Sequence, residues 1–99
     1  MRRFLILIVA ASTLSACQRE NLQVVGYRCG ELTVSAIFRG QERATIAIGD
    51  RKLELGLVPA ASGAKYADSA GNEFWTKGPD EAMLTLSGEA TRNCRSTSS

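Results

Sequence analysis

Hydrophobic residues follow two different patterns along this chain. Phe4 to Ala11 is a continuous apolar run, preceded by Arg2 and Arg3. From Val24 onward the apolar positions mostly alternate with polar ones. Val24 to Cys29 is β-branched and aromatic. Leu32, Val34, Ala36 and Phe38 alternate with Thr33, Ser35 and Arg39, and Ile37 interrupts the polar set. Ala44, Ile46 and Ile48 keep the same period. Leu53, Leu55 and Leu57 alternate with Lys52, Glu54 and Gly56, and Ala82, Leu84 and Leu86 with Met83, Thr85 and Ser87. A period of two marks strands with one buried face, because successive side chains point to opposite sides. No segment sustains a helical period.

Turn residues separate the runs. Arg39-Gly40-Gln41 and Ser87-Gly88-Glu89 are glycine turns, and Gly49-Asp50 suits a two-residue hairpin. Ala70-Gly71-Asn72 divides Tyr66–Asp68 from Glu73–Lys77, and Gly78-Pro79-Asp80 ends the latter. Short strands at this spacing predict an all-β, antiparallel sandwich or barrel in one domain. Closing the sheet would remove the exposed edges of so small a protein.

The first apolar run is too short to span a bilayer and reads as the core of an export signal. Leu14-Ser15-Ala16-Cys17 follows it and has the form of a lipobox, the site at which bacterial lipoproteins are cleaved and acylated. Residues 1–16 are therefore expected to be a signal peptide, and residues 17–22 a lipidated Cys17 with a polar tether. More than one acyl chain at Cys17 would anchor the protein stably, whereas a single chain binds only marginally. Gln18, rather than aspartate, favours the outer membrane, with the domain facing the periplasm. Two further cysteines, Cys29 and Cys94, remain. In an oxidising compartment they most simply form one disulfide between the first and last strands.

Of the 99 residues, Lys and Arg supply 12 and Asp and Glu 10, for a net charge of +2. Removing Arg2 and Arg3 with the leader brings that to zero, which argues against non-specific nucleic-acid binding. The chain contains no histidine. That excludes Ser-His-Asp and Cys-His catalysis and histidine metal sites, and no P-loop or dinucleotide fingerprint is present. No catalytic residue, metal or cofactor is expected. Asp68, Glu73, Asp80 and Glu81 read as solvated turn carboxylates.

Two stretches stand out. Ser62-Gly63-Ala64-Lys65-Tyr66 is a glycine-containing loop with a hydroxyl at its tip. Phe74-Trp75-Thr76-Lys77-Gly78 is an aromatic strand end that carries a cation. A hydroxyl donor and an ammonium on rigid β structure suit the capture of carboxylates. Taken singly, Gly63 reads as a positive-φ connector, Lys77 as a surface lysine and Tyr66 as packing. Phe74 and Trp75 must face opposite sides of their strand, one inward and the other on the face shared with Glu73 and Lys77.

In order, the chain shows a lipobox, Tyr27-Arg28-Cys29, Leu32-Thr33-Val34, the Ser62 to Tyr66 loop, the Phe74 to Gly78 strand, Ala82-Met83-Leu84 and a late Cys94. Together they resemble the membrane-bound lysozyme inhibitors of C-type lysozyme, the MliC family, over nearly all of the chain that follows the leader. The resemblance implies a small antiparallel β-barrel of about eight strands, which would occupy residues 23–95; the polar residues 96–99 that follow are expected to be a frayed end by their position alone. It implies C-type lysozyme as partner, with no nucleic acid, and an inhibitor rather than an enzyme. It also implies that Ser62 and Lys77 enter the lysozyme cleft and bind the catalytic carboxylates there, with Gly63, Lys65 and Tyr66 in the same contact region. Acidic residues near these motifs would steer a basic lysozyme. Lys65 stands where arginine is more usual, keeping the charge without the planar fork. Pro79 lengthens the turn after Lys77-Gly78. The competing reading is a structural or small-ligand-binding envelope lipoprotein on the same barrel. That reading requires an open interior, whereas the Leu, Ile and Phe alternation predicts a filled one.

Overall fold

The structure, a computed structural model, describes residues 21–97. The expected signal peptide, Cys17 and residues 17–20 of the tether lie outside the described residues, as do Ser98 and Ser99. Eight strands follow in order: β1 (Leu22–Cys29), β2 (Leu32–Arg39), β3 (Arg43–Ile48), β4 (Arg51–Val58), β5 (Ala64–Ala67), β6 (Glu73–Thr76), β7 (Glu81–Thr85) and β8 (Arg92–Ser96). Each pairs antiparallel with the next, and β8 returns to β1 to close the barrel. The expected all-β barrel is thus the observed fold. Pairing runs slightly further than expected: β1 begins at Leu22, β8 reaches Ser96, and the Thr97 N–H donates to the Gly26 carbonyl. Residues 96 and 97 are therefore paired rather than frayed.

Strand direction alternates around the barrel, so its connections fall at two ends. One end carries the start of β1 and the loops 40–42, 59–63 and 77–80. The other carries 30–31, 49–50, 68–72 and 86–91.

The inward positions fill the barrel. Val34, Ile46, Phe74 and Leu84 are fully buried, and Tyr27 meets Phe74 edge-on at 5.2 Å. Phe38 lies 5.7 Å from Tyr66. Offset and edge-on aromatic contacts of this kind are favoured by the ring quadrupoles. What remains open is a shallow mouth of about 450 Å³, lined in part by Tyr27, Phe38, Leu57 and Tyr66. A filled interior is not the open cavity that a carrier would need.

Two positions depart from the simple alternation. Leu57 is on the inward register but 45% exposed at that mouth, where the barrel runs out of side chains to cover it. Thr45 is on the outward register yet 1% exposed. Arg39 donates to its hydroxyl at 3.1 Å, and the hydroxyl donates to Glu54 at 2.8 Å, so two long side chains close over it.

Closure is covalent as well as hydrogen-bonded. Cys29 and Cys94 face each other across β1 and β8 and are disulfide-bonded, 65 residues apart in sequence. Both are buried. Linking residues so far apart restricts the unfolded chain by roughly 4 kcal/mol.

At the end away from loop 59–63, Asp68 ties a turn together. Its carboxylate accepts from the Asn72 side chain at 2.9 Å and from the Asn72 and Ala70 N–H groups at 3.0 and 2.9 Å. Asn72 is buried and accepts in turn from the Ser87 N–H at 2.8 Å. The Asn72 side-chain bond, supported by these backbone donors, lowers the Asp68 pKa below its ordinary 3.8.

Two predictions follow from these ties. Replacing Cys29 and Cys94 by alanine should lower unfolding stability by about 2–5 kcal/mol in denaturant titrations; unchanged stability would remove the staple from the account. A carboxylate with a depressed folded pKa stabilises above the unfolded value and loses that contribution as pH falls through the folded one. Asp68→Asn should therefore lower the melting temperature at neutral pH. The gap to the parent should shrink once the pH drops below 3.8 towards the folded pKa. A gap that stays constant with pH would show that the charge on Asp68 contributes nothing.

Candidate functional site

β5 and β6 lie side by side, with Lys65 directly opposite Trp75 and Tyr66 opposite Phe74. Alternation turns Phe74 and Tyr66 inward, and Glu73, Lys65, Trp75 and Lys77 outward. The outward four form a ladder. Glu73 pairs with Lys65 at 3.5 Å, and the Lys65 Nζ lies 4.8 Å from the Trp75 ring centre. The Lys77 Nζ lies 3.6 Å from the same centre. Both are cation–π contacts, each about 0.5–1 kcal/mol at an exposed site.

Trp75 also reaches across to the preceding loop. Its indole N–H donates to the Ser62 carbonyl at 2.7 Å. Gly63 makes that approach possible. Its φ is +71°, and a Cβ there would overlap the Thr76 carbonyl. Any L side chain would be both strained and obstructed. Beside it, Thr76 Oγ1 accepts from the Ala64 N–H and donates to the Ala64 carbonyl, both at 3.2 Å. The loop tip is therefore bonded to β6 through Trp75, and Thr76 fastens Ala64 where the loop enters β5. The Lys77 N–H donates to the Glu81 carbonyl at 2.8 Å and closes the next turn.

The structure thus brings Ser62, Gly63, Lys65 and Lys77 onto one outward patch, with Ser62 and Lys77 exposed. Tyr66 is not on that patch. Its ring is buried against Phe38, and burial raises its pKa above 10.0. It reaches solvent only at the mouth of the barrel. Trp75 is the residue whose importance the sequence understated. Its placement opposite Glu73's partner Lys65 comes from strand register, which single-strand alternation does not supply.

Electrostatically the patch ends in one uncommitted charge. Lys65 is offset by Glu73, while Lys77 has no ion pair among the described residues. An exposed ammonium on an indole, beside an exposed hydroxyl on a bonded loop, is equipped to meet carboxylates. Among the described residues no cluster of His, Cys, Asp or Glu could hold a metal ion.

Comparison with known proteins gives a consistent picture. The family described as membrane-bound lysozyme-inhibitor of c-type lysozyme matches residues 27–93. Among solved structures, Pseudomonas aeruginosa MliC in complex with hen egg white lysozyme aligns with a TM-score of 0.56 and 27% identity, covering 92% of this chain and 98% of that one. No curated protein matches the chain.

The geometry of the loop is testable. Gly63→Ala should destabilise the fold by at least about 1 kcal/mol, since alanine at a positive φ costs more than its gain in chain stiffness. It should also shift the emission of the protein's one tryptophan. Unaltered melting and emission would show that the loop is not held against Trp75 and Thr76.

Proposed function

Because the chain belongs to the family of membrane-bound inhibitors of c-type lysozyme, we propose that it inhibits a C-type lysozyme by placing Ser62 and Lys77 in the enzyme's cleft. The observation that carries this reading is the indole of Trp75, which holds the Ser62 loop by hydrogen bond and Lys77 by stacking. Lysozyme cuts its substrate between two carboxylates, one acting as acid and the other as nucleophile or stabiliser. An ammonium and a hydroxyl docked on that pair fill the space of the scissile bond. The ammonium also favours ionisation of both carboxylates, opposing the protonated state that the acid needs. Gly63 lets the loop lie close to β6, and Lys65 supports Trp75 from the neighbouring strand. Tyr66 acts from beneath, as packing.

The family is one of membrane-bound proteins. We place the anchor at acylated Cys17, on the periplasmic face of the outer membrane, from the lipobox and Gln18. Residues 18–21 then connect the lipid to the start of β1.

The test is a double-mutant cycle on inhibition of lysozyme. Inhibition should compete with cell-wall substrate. Lys77→Ala should weaken binding by about 2–5 kcal/mol, as expected for one partner of a buried charged pair. Ser62→Ala should lose less, about 1.5–3 kcal/mol, as for a hydroxyl bonded to a charge. Both side chains reach one small cluster, so the losses should couple by about 0.5 kcal/mol or more. Melting temperatures should barely move, since both residues are exposed and the Lys77 contact with Trp75 is worth only about 0.5–1 kcal/mol. If Lys77→Ala binds as tightly as the parent, the assignment of Lys77 fails.

A further inference from the structure

The outward face of β1 and β2 is unlike the rest of the barrel exterior. Leu22 and Val24 point away from the core and are 55% and 63% exposed. Ile37 stands directly opposite Val24 on the same face, and Arg39 opposite Leu22. Arg39 in turn faces Arg43, and Arg28, further along β1, faces Arg95. Like charges directly opposite one another destabilise a sheet. Arg95 finds Glu81 at 3.3 Å and Arg39 finds Thr45. Arg28 and Arg43 make no ion pair among the described residues. Glu54 is already bonded to Thr45. This wall therefore presents exposed aliphatic side chains within a cationic frame.

We propose that the β1–β2 wall seats on an anionic bilayer surface and so fixes which way the barrel faces. The inference rests on acylation of Cys17. From Cys17 to Leu22 the chain spans at most about 18 Å even when fully extended. The lipid therefore holds Leu22 and Val24 within reach of the interface. Exposed aliphatics enter the headgroup boundary, and flanking cations are drawn to anionic lipids. Topology adds a reason for this posture. The tether leaves from the same end of the barrel that carries loops 59–63 and 77–80. A barrel standing upright on its tether would aim Ser62 and Lys77 at the membrane. In an eight-stranded closed barrel, β5 lies across from β1 and β6 across from β2. Laying β1 and β2 on the membrane turns Trp75 and Lys77 outward, where a protein as large as lysozyme can approach.

The experiment uses the full lipidated chain in vesicles of phosphatidylethanolamine and phosphatidylglycerol. An environment-sensitive fluorophore is attached to Val24→Cys in one preparation and to Ala67→Cys, on the outward register of β5, in another. Spin-labelled lipids serve as quenchers. Seating predicts a blue shift and loss of emission at position 24 and neither at 67. Adding Leu22→Asp and Arg43→Glu should abolish both effects at position 24 while the protein stays on the vesicles, and replacing the anionic lipid by phosphatidylcholine should reduce them. Equal signals at the two positions, on protein that survives a salt wash, would overturn the seating and leave the anchor intact. Protein that washes off would overturn the anchor, and the seating with it. Protection of position 24 that depends on protein concentration in detergent would assign the face to a second copy. Protection that appears only with added lysozyme would assign it to that partner. Either result would overturn the proposal.

Discussion

The pairing of β8 with β1 brings together residues from the two ends of the domain, and the circular order of the strands depends on it. Contacts this distant in sequence return nothing until the whole intervening chain has been ordered, so they are the slowest to form and the easiest to lose. The buried Cys29–Cys94 bond sits at that seam. In a domain of this size, with a core only one barrel wide, such a staple is a large fraction of net stability. Closure also has a geometric consequence. It sets β5 and β6 opposite β1 and β2, so the patch of Ser62, Trp75 and Lys77 and the aliphatic, cationic wall face away from each other.

On the patch itself, Trp75 links parts that are separate in sequence. Its edge bonds the loop of Ser62, its face carries Lys77, and its cross-strand neighbour is Lys65. The indole suits this position because it offers one donor at the rim and a broad π surface. Phenylalanine would keep the stacking and lose the loop bond. Below it, Phe74 and Tyr66 are fixed in the core, which prevents the two strands from shifting register. The patch is therefore held in place by residues buried beneath it.

Much of this was legible in the alternation of apolar residues. Val34, Ala36, Ile46, Leu55, Leu84 and Leu86 fell inside as a period of two requires. Whether the strands made a sandwich or a barrel was not legible in any one strand, because closure is a pairing between distant segments; the family resemblance supplied it. The exceptions have local causes. Thr45 is buried by long side chains from neighbouring strands, and Leu57 is exposed where the barrel ends. Ser62 and Lys77 were readable as chemistry, but their meeting through Trp75 needed cross-strand register. Tyr66 was readable as packing from its own residue type and became a contact candidate only through the resemblance. Its burial favours the simpler reading. The outward turn of Leu22 and Val24 was hidden because Val24, Val25 and Tyr27 are all apolar and give no alternation to follow.

Lys77 poses a question of competing attractions. Its ammonium rests 3.6 Å from the Trp75 ring centre, so engagement of another protein's carboxylates could require it to leave. The two energies are unequal. Leaving an exposed ring forfeits about 0.5–1 kcal/mol. Meeting a carboxylate in a dry cleft brings a charge pair whose disruption costs about 2–5 kcal/mol. The ring therefore cannot hold Lys77 back, but it can keep the side chain extended over β6 instead of wandering through its rotamers. A lysine has roughly 1.5–2 kcal/mol of rotamer entropy to lose on being fixed. Part of that loss has already been taken in the free protein, where the cation–π contact offsets it. If Ser62 and Lys77 bind as proposed, Trp75 lowers the penalty twice, once by bonding the loop of Ser62 and once by ordering Lys77 in the free protein.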